Sequence, residues 1–581
     1  MVHQFFKLSF LSLLLFFLFG NCGGSKKQSN DANLLALLGN TNSIRNSSNS
    51  PESSVNLKSA EMGPNLPVIT QAELDSSNPT ELVNNISSSV SYNQVNVEVN
   101  IPITFTLNNG YNPLNTDATN SYFVDYQNGK ILFSRVVVNG NTVTMIPQIK
   151  LQPTRTYVVV LGGVVDSNNI SYGDYRIKYS NKDLDYGLYW YGKNGVCEKY
   201  YPGVANSFYD NSKKAVIFAH GWQVDTTITT DPFGRPNFDF TMYYFFEDNF
   251  NDAPSYNGLA KWTNHSWVDD GWNTGIVYWA QFADEPVLGG GNFAGLYAAE
   301  AKVWNLVDGP NGSRYRTLDT SGNDIYKNWD RNVNFNGQTI TVGSVGELLS
   351  LYVVDALNSN TSGNIRLTGH SLGNQVITHI AYYVDQANIG IKRIALLDPA
   401  WTDGAKSWLP VVDYAATQVK LNHNGVYALD GGSLGTHYWP AEISRVILYE
   451  IMNHNWNDGI VVERYNSTIL NLYLPIVDEN RKLSKQISVT DLKPWFYGTA
   501  QLPQKHTLPR HNYFWSYEAN PPVECTVTFG IRNPTGNVAA SAATGEVRMR
   551  ELMLNGKYHS QVEGRYTVEP NDDWFETKNQ L

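Results

Sequence analysis

A serine hydroxyl attacks a carbonyl only when a base can take its proton and a third group holds that base in place. The serines worth weighing are therefore those that a turn lifts clear of the chain. Two stretches read Gly-x-Ser-x-Gly: Gly369-His370-Ser371-Leu372-Gly373 and Gly431-Gly432-Ser433-Leu434-Gly435. The motif alone is weak, and its surroundings separate the two. Ser371 follows Asn364-Ile-Arg-Leu-Thr368, which reads as a strand. It precedes a segment in which Val376, Ile377, Ile380, Ala381 and Val384 recur at helical spacing. Strand, sharp turn and helix together expose a nucleophile and aim backbone N–H groups at a developing oxyanion. Ser433 instead sits in a glycine-rich turn, with Pro440 interrupting any helix after it, and reads as a loop residue.

The partners of Ser371 come from other strand ends. Lys214 to Ala219 is an apolar strand running into His220-Gly221-Trp222, where the glycine permits a tight turn and the Trp222 amide can join that of Leu372 in an oxyanion hole. His220 reads as a packing histidine rather than a proton carrier. Lys392 to Leu397 is a second buried strand, and Asp398 stands at its tip before Pro399. A carboxylate there can fix the tautomer of a histidine and stabilise its imidazolium. Asp458 is the rival acid, placed after a segment, Val446 to Tyr449, that reads as a strand. The base must lie downstream, among His423, His437, His454, His506, His511 and His559. His511 leads because Leu508-Pro-Arg-His511 reads as a loop opening into an aromatic helix, free to lean across the sheet; His454 and His506 remain alternatives.

His220-Gly-Trp222, Gly369-His-Ser-Leu-Gly373 and Leu396-Leu-Asp398-Pro-Ala400, with the aspartate 27 residues after the serine, resemble the pancreatic lipase family of α/β-hydrolases. The resemblance spans about residues 186–520. It implies an α/β-hydrolase fold, a triad of Ser371, Asp398 and His511, and an oxyanion hole of Trp222 and Leu372. The chain departs from that family in lacking a disulfide-rich framework and a colipase-type C-terminal domain, and in its long interval from Asp398 to His511.

Between His220 and the serine strand, Thr241 to Phe246, Phe250, Trp262, Trp267, Trp272 and Trp279 could line an acyl or glycan pocket, or pack the core. Gly289 to Gly291 are followed by no Gly-Lys-Ser/Thr, and Asp269 and Asp270 lack the spacing of a calcium loop, so neither metal nor cofactor is expected.

These residues need a frame. A length of 581 predicts several domains. With 42 basic and 53 acidic side chains, the net charge of −11 disfavours a nucleic-acid partner. Met1 to Lys7, the apolar run Leu8 to Phe19 and Gly20-Asn21-Cys22 form a signal peptide too short to span a bilayer. Its end resembles a bacterial lipobox, which implies lipidation of Cys22 and attachment to a bacterial membrane at the cell envelope, with an ordinary cleaved signal as the alternative. Residues 23–64, rich in Ser and Asn, read as a tether. With Cys22 set aside, Cys197 and Cys525 form a candidate disulfide, or are two buried thiols.

Residues 65–182 alternate in short strands separated by turns such as Asn109-Gly110 and Asn139-Gly140-Asn141. They resemble the bacterial Ig-like domains of surface-layer proteins and exported enzymes, and read as a spacer. The fold class expected is α/β: an α/β-hydrolase domain over 183–525 behind an N-terminal Ig-like β-sandwich, with 526–581 as a small β extension in which Glu546 to Leu552 is a strand. The leading function is a membrane-tethered serine hydrolase of carboxylic esters, with a lipid as the first substrate class. The alternatives are a catalytically idle surface lipoprotein or adhesin on the same scaffold, and a hydrolase of glycan esters or peptides.

Overall fold

A computed structural model describes residues 68–579, except 115–119, 225–226, 228–239, 247–254, 287–293, 320, 403–405, 407, 410–418, 422–424, 428–438, 468–482 and 499–501. The side chains of 241–260, 419–421, 425–427 and 502–503 are likewise not described. Cys22, the tether, Ser433, His423, His437, Gly289 to Gly291 and the rings from Tyr243 to Phe250 all lie outside the described residues or side chains.

The N-terminal module is a sandwich of two sheets. One orders Ile86–Ser88, Ile103–Leu107, Thr142–Pro147 and Ser134–Asn139, all antiparallel. The other is built around the long pair Thr156–Asp166 and Ser171–Asn181. Ile103–Leu107 alternates between buried and half-buried positions. Ile103, Phe105 and Leu107 thereby face Val143, Met145, Tyr157 and Val159 in a single core.

The remainder is organised by one twelve-stranded sheet. In chain order its strands are β1 (Gly187–Tyr191), β2 (Cys197–Lys199), β3 (Lys214–Ala219), β4 (Trp272–Tyr278), β5 (Ile365–His370), β6 (Arg393–Leu397), β7 (Val461–Ser467), β8 (Ser488–Leu492), β9 (Val523–Thr528), β10 (Ile531–Val538), β11 (Lys557–Glu563) and β12 (Trp574–Asn579). Their spatial order is β2-β1-β4-β3-β5-β6-β7-β8-β11-β12-β9-β10. From β4 through β8 to β11 every neighbour is parallel. Both ends carry antiparallel pairs, β2-β1-β4 at one and β11-β12 and β9-β10 at the other, where β12 and β9 pair in parallel.

The parallel strands are buried on both faces, which is why they read as continuous apolar runs. On one face Ala215, Ile217 and Ala219 of β3 pack among helices α1 (Ala294–Trp304), α2 (Val345–Leu357), α3 (Gly373–Gln386) and α4 (Pro440–His454). On the other, Val216 and Phe218 meet Tyr513 and Phe514 of helix α5 (Leu502–Ser516). A sheet with helices on both faces presents the C-terminal tips of its strands as one edge, where β3, β5 and β6 all end.

Three expectations about elements are corrected. Val446 to Tyr449 lies within α4, not in a strand: Pro440 occupies the first turn, Glu442 is at the third position, and Ile443, Val446, Ile447 and Ile451 share a buried stripe. Helical periodicity thus overrides the strand propensity of the β-branched residues. Glu546 to Leu552 is likewise helical, over Glu546–Glu551. Residues 526–581 continue the main sheet rather than extending it separately, since Thr490 of β8 pairs with His559 of β11.

The sandwich meets the sheet directly. Arg135 holds the buried Glu198 of β2 through Nε at 3.0 Å and Nη2 at 3.1 Å. The Cys197 N–H donates to the Gln148 carbonyl at 3.1 Å, and Lys150 reaches Asp185 at 2.5 Å. The module is therefore packed against the edge of the sheet, which a free spacer would not be.

Candidate active site

Ser371 follows directly on β5 with φ 55° and Asp398 on β6 with φ 43°, both in the left-handed region that is costly for residues with a Cβ. The two turns are stitched to each other. The Ser371 N–H donates to the Leu397 carbonyl at 3.0 Å. The Asn374 amide donates to the carbonyls of Ser371, at 2.8 Å, and Leu397, at 3.1 Å, while its oxygen accepts from the Leu397 N–H at 3.0 Å. Gln375 continues the stitching by donating to the Ala400 carbonyl at 2.9 Å and to the buried Glu300 at 2.7 Å. The glycines of the motif are required by close approach. A Cβ on Gly373 would lie 2.3 Å from the Ala219 carbonyl oxygen, and one on Gly221 would lie 2.7 Å from Ser371 Cβ.

Asp398 is buried and accepts three donors. The Ser467 N–H donates to Oδ1 at 2.9 Å, the Ser467 hydroxyl donates to Oδ2, and His506 Nδ1 lies 2.7 Å from Oδ2. The carboxylate leaves Nδ1 protonated and Nε2 of His506 as the acceptor, the arrangement a general base needs. His506 is one quarter exposed, so that acceptor remains within reach of solvent and substrate. His370, the residue before the serine, holds the helix that carries His506. Its Nε2 lies 2.8 Å from the His506 carbonyl, to which it must donate, and its ring packs on that of His506 with centroids 4.7 Å apart. Burial keeps His370 neutral by pushing its pKa well below the ordinary range. Ser371 is 8% exposed, and its hydroxyl makes no hydrogen bond among the described residues. Catalytic contacts commonly tighten only when substrate arrives.

The structure therefore sets His506, and not the sequence-favoured His511, against Asp398. Both lie on α5, but five residues along a helix is about 140° around it, so the two rings leave on different faces. His511 makes no contact with Asp398 among the described residues, and burial drives its pKa well down. The other candidates lie elsewhere. His454 pairs with Asp385 at 2.7 Å, at the far end of α3, about 20 Å of helix from Ser371. Asp458 precedes β7, so it sits at the opposite edge of the sheet from Asp398.

The Trp222 and Leu372 amides have no acceptor among the described residues. Leu372 is the N-cap of α3, where the helix dipole favours negative charge. Trp222 is fixed from behind: its indole N–H donates to the Glu285 carbonyl at 3.0 Å, and the buried Glu285 is clamped by Lys302 at 2.6 Å and by Arg314. His220 accepts from the Trp279 N–H at Nε2 (3.2 Å), so its proton is on Nδ1, 3.1 Å from the Gly221 carbonyl. Burial pulls its pKa down to about 3, so it is a neutral strut of this turn.

Trp267, Trp272 and Trp279 are core residues rather than pocket walls. The candidate disulfide is not formed. Cys197 and Cys525 are buried thiols outside any disulfide, on strands β2 and β9, which stand ten places apart in the sheet. At about 4.8 Å per strand they are separated by tens of ångströms, against the roughly 7 Å limit between Cα atoms of a disulfide. Ser467, Asn374, Glu300 and Gln375 escaped sequence reasoning, since nothing in their local sequence marks them as partners of a site.

Residues 79–180 match the family model of a bacterial Ig-like domain, in keeping with the sandwich described above. No curated protein matches the chain. Among solved structures, the N-terminal part of the bacterial S-layer protein SbsC is similar at 13% identity and a TM-score of 0.15, over 19% of this chain and 27% of that one. An acylaminoacyl peptidase from Pyrococcus horikoshii is similar at 10% identity and a TM-score of 0.23, over 72% of this chain and 53% of that one. The chain thus spans about a quarter to a half of these structures, and at such scores neither speaks to activity.

Proposed function

We propose that the chain is a serine hydrolase of the α/β-hydrolase fold that cleaves carboxylic esters, with Ser371 as nucleophile, His506 as base and Asp398 as its orienting acid. The observation that carries the reading is the 2.7 Å contact of His506 with a buried carboxylate at the tip of the strand beside the one that ends in Ser371. The sheet order and the two open amides support it.

In the first step His506 Nε2 takes the Ser371 proton as Oγ bonds to the carbonyl carbon, and the oxyanion is received by the Trp222 and Leu372 amides. The bond to the leaving alcohol then breaks as His506 returns the proton to that oxygen, leaving acyl-Ser371. Water, deprotonated by the same nitrogen, then bonds to the acyl carbon; the bond to Ser371 Oγ breaks as His506 returns the proton to Oγ, releasing the acid and the free serine. Asp398 keeps Nδ1 protonated throughout, and Ser467 holds Asp398.

A lipid ester is the substrate class we favour, at the envelope of a bacterium to which an acylated Cys22 anchors the chain. A fluorophosphonate probe tests the chemistry: it should label the protein and fail on Ser371→Ala. Absence of labelling on the native chain would leave the scaffold idle. Hydrolysis rates over esters of increasing acyl length test the class, because a lipid hydrolase gains kcat/KM with length and a glycan esterase does not.

A further inference from the structure

Strands β9 and β10 form a hairpin in which β10 is the last strand of the sheet among the described residues, closed by Phe529-Gly530. Its base is rigid. The buried Glu524 carboxylate accepts from Thr535 Oγ1 at 2.7 Å, Asn537 Nδ2 at 3.1 Å and Thr577 Oγ1 at 2.5 Å, and pairs with Arg548 at 3.2 Å. These contacts lock both strands of the hairpin to β12. Beyond that base, β10 is exposed from Ile531 to Asn537.

The tip combines two unfavourable features in one residue. Phe529 has φ 50° and Gly530 has φ 80°, so both turn positions are left-handed, where Asn, Asp or Gly is the ordinary choice for the first. A bulky ring there is strained. It is also fully exposed, at 101%, with Ile531 at 65% beside it. Thr526-Val-Thr-Phe-Gly-Ile531 carries no charged side chain, in a chain of net charge −11. Nothing within the described residues relieves either cost.

The shape decides the occupant. A convex tip of one Phe and one Ile offers roughly 300 Å² of apolar surface, well short of the about 800 Å² per partner of a standard protein interface. A fluid lipid surface needs no complementary groove, and takes up an uncharged aromatic and aliphatic turn at the headgroup boundary. We infer that the Phe529–Ile531 tip inserts into the interfacial layer of a zwitterionic bilayer and so fixes how the protein sits on a membrane. This inference is independent of the hydrolase reading.

The test reads the tip itself, so that other attachments of the full chain do not matter. A polarity-sensitive fluorophore on Phe529→Cys is compared with one on Val547→Cys, an exposed site outside the hairpin, with the unsubstituted chain labelled alike as background. On phosphatidylcholine vesicles, emission at 529 should rise at least threefold and that at 547 should not. Adding Ile531→Asp should abolish the rise. Equal responses at both sites, or none at 529, overturn the inference. So does a rise without vesicles that grows with protein concentration, which would assign the tip to a second copy of the chain.

Discussion

Asp398→Asn isolates the orienting role of the carboxylate. Alanine would be a poor choice, because Asp398 has φ 43° and an alanine there is strained, whereas asparagine tolerates the left-handed region. Three donors converge on the two carboxylate oxygens: the Ser467 N–H, the Ser467 hydroxyl and His506 Nδ1. An asparagine has one oxygen. If it keeps the Ser467 N–H on Oδ1, its NH2 replaces Oδ2 and faces His506, which must then present a bare Nδ1 and carry its proton on Nε2, unable to receive one from Ser371. A wrong tautomer of this kind costs about 10⁴ in kcat, or about 5 kcal/mol on the barrier. The fold should persist, with a loss of about 1–3 kcal/mol from the altered buried hydrogen bonds. Initial rates on a short-chain ester, with the rate of fluorophosphonate labelling and a thermal melt alongside, separate the two effects. Retention of a tenth of the activity by a folded Asp398→Asn protein would refute the triad as assigned.

His506→Ala should lower kcat by at least 10⁴ in the same assay while His511→Ala keeps activity within tenfold; the reverse ranking would return the base to His511. Gly221→Ala pushes a Cβ to 2.7 Å from Ser371 Cβ, so activity should fall at least a hundredfold, and a fully active, folded variant would show that the two turns can part without cost to the site. His220, held near 3 in the folded chain against 6.5 ordinarily, stays neutral while the unfolded chain binds a proton below pH 6.5, so acid favours unfolding by about 1.4 kcal/mol per pH unit through this group. His220→Gln should therefore lose stability less steeply than wild type between pH 6 and 4 in urea titrations, and an unchanged slope would contradict a neutral buried His220. Arg135→Ala removes the bidentate partner of Glu198 between the sandwich and the sheet, while Gln148 and Ser207 still donate to that carboxylate, and should cost about 1–3 kcal/mol. Calorimetry of wild type should show the sandwich and the sheet unfolding together, which two separated transitions would rule out.

What is local in this protein is legible along the chain. The strand before Ser371, the helix after it, the strand ending in Asp398 and the alternation of the sandwich are each written in a run of fewer than about twenty residues, where hydrophobic period and turn chemistry act on neighbours. Which histidine faces Asp398 is settled by packing between distant segments. Pro503 and Pro509 make α5 read as a loop, and once it is a helix its rotational phase, set by Tyr513 and Phe514 packing on Phe218, turns His506 rather than His511 toward the carboxylate. The same holds for Ser467, which reaches Asp398 from the next strand, and for Cys197 and Cys525, whose separation is a count of strands across the sheet. Each depends on register and order between segments far apart in the chain, and a sequence pattern carries no record of which strand lies beside which.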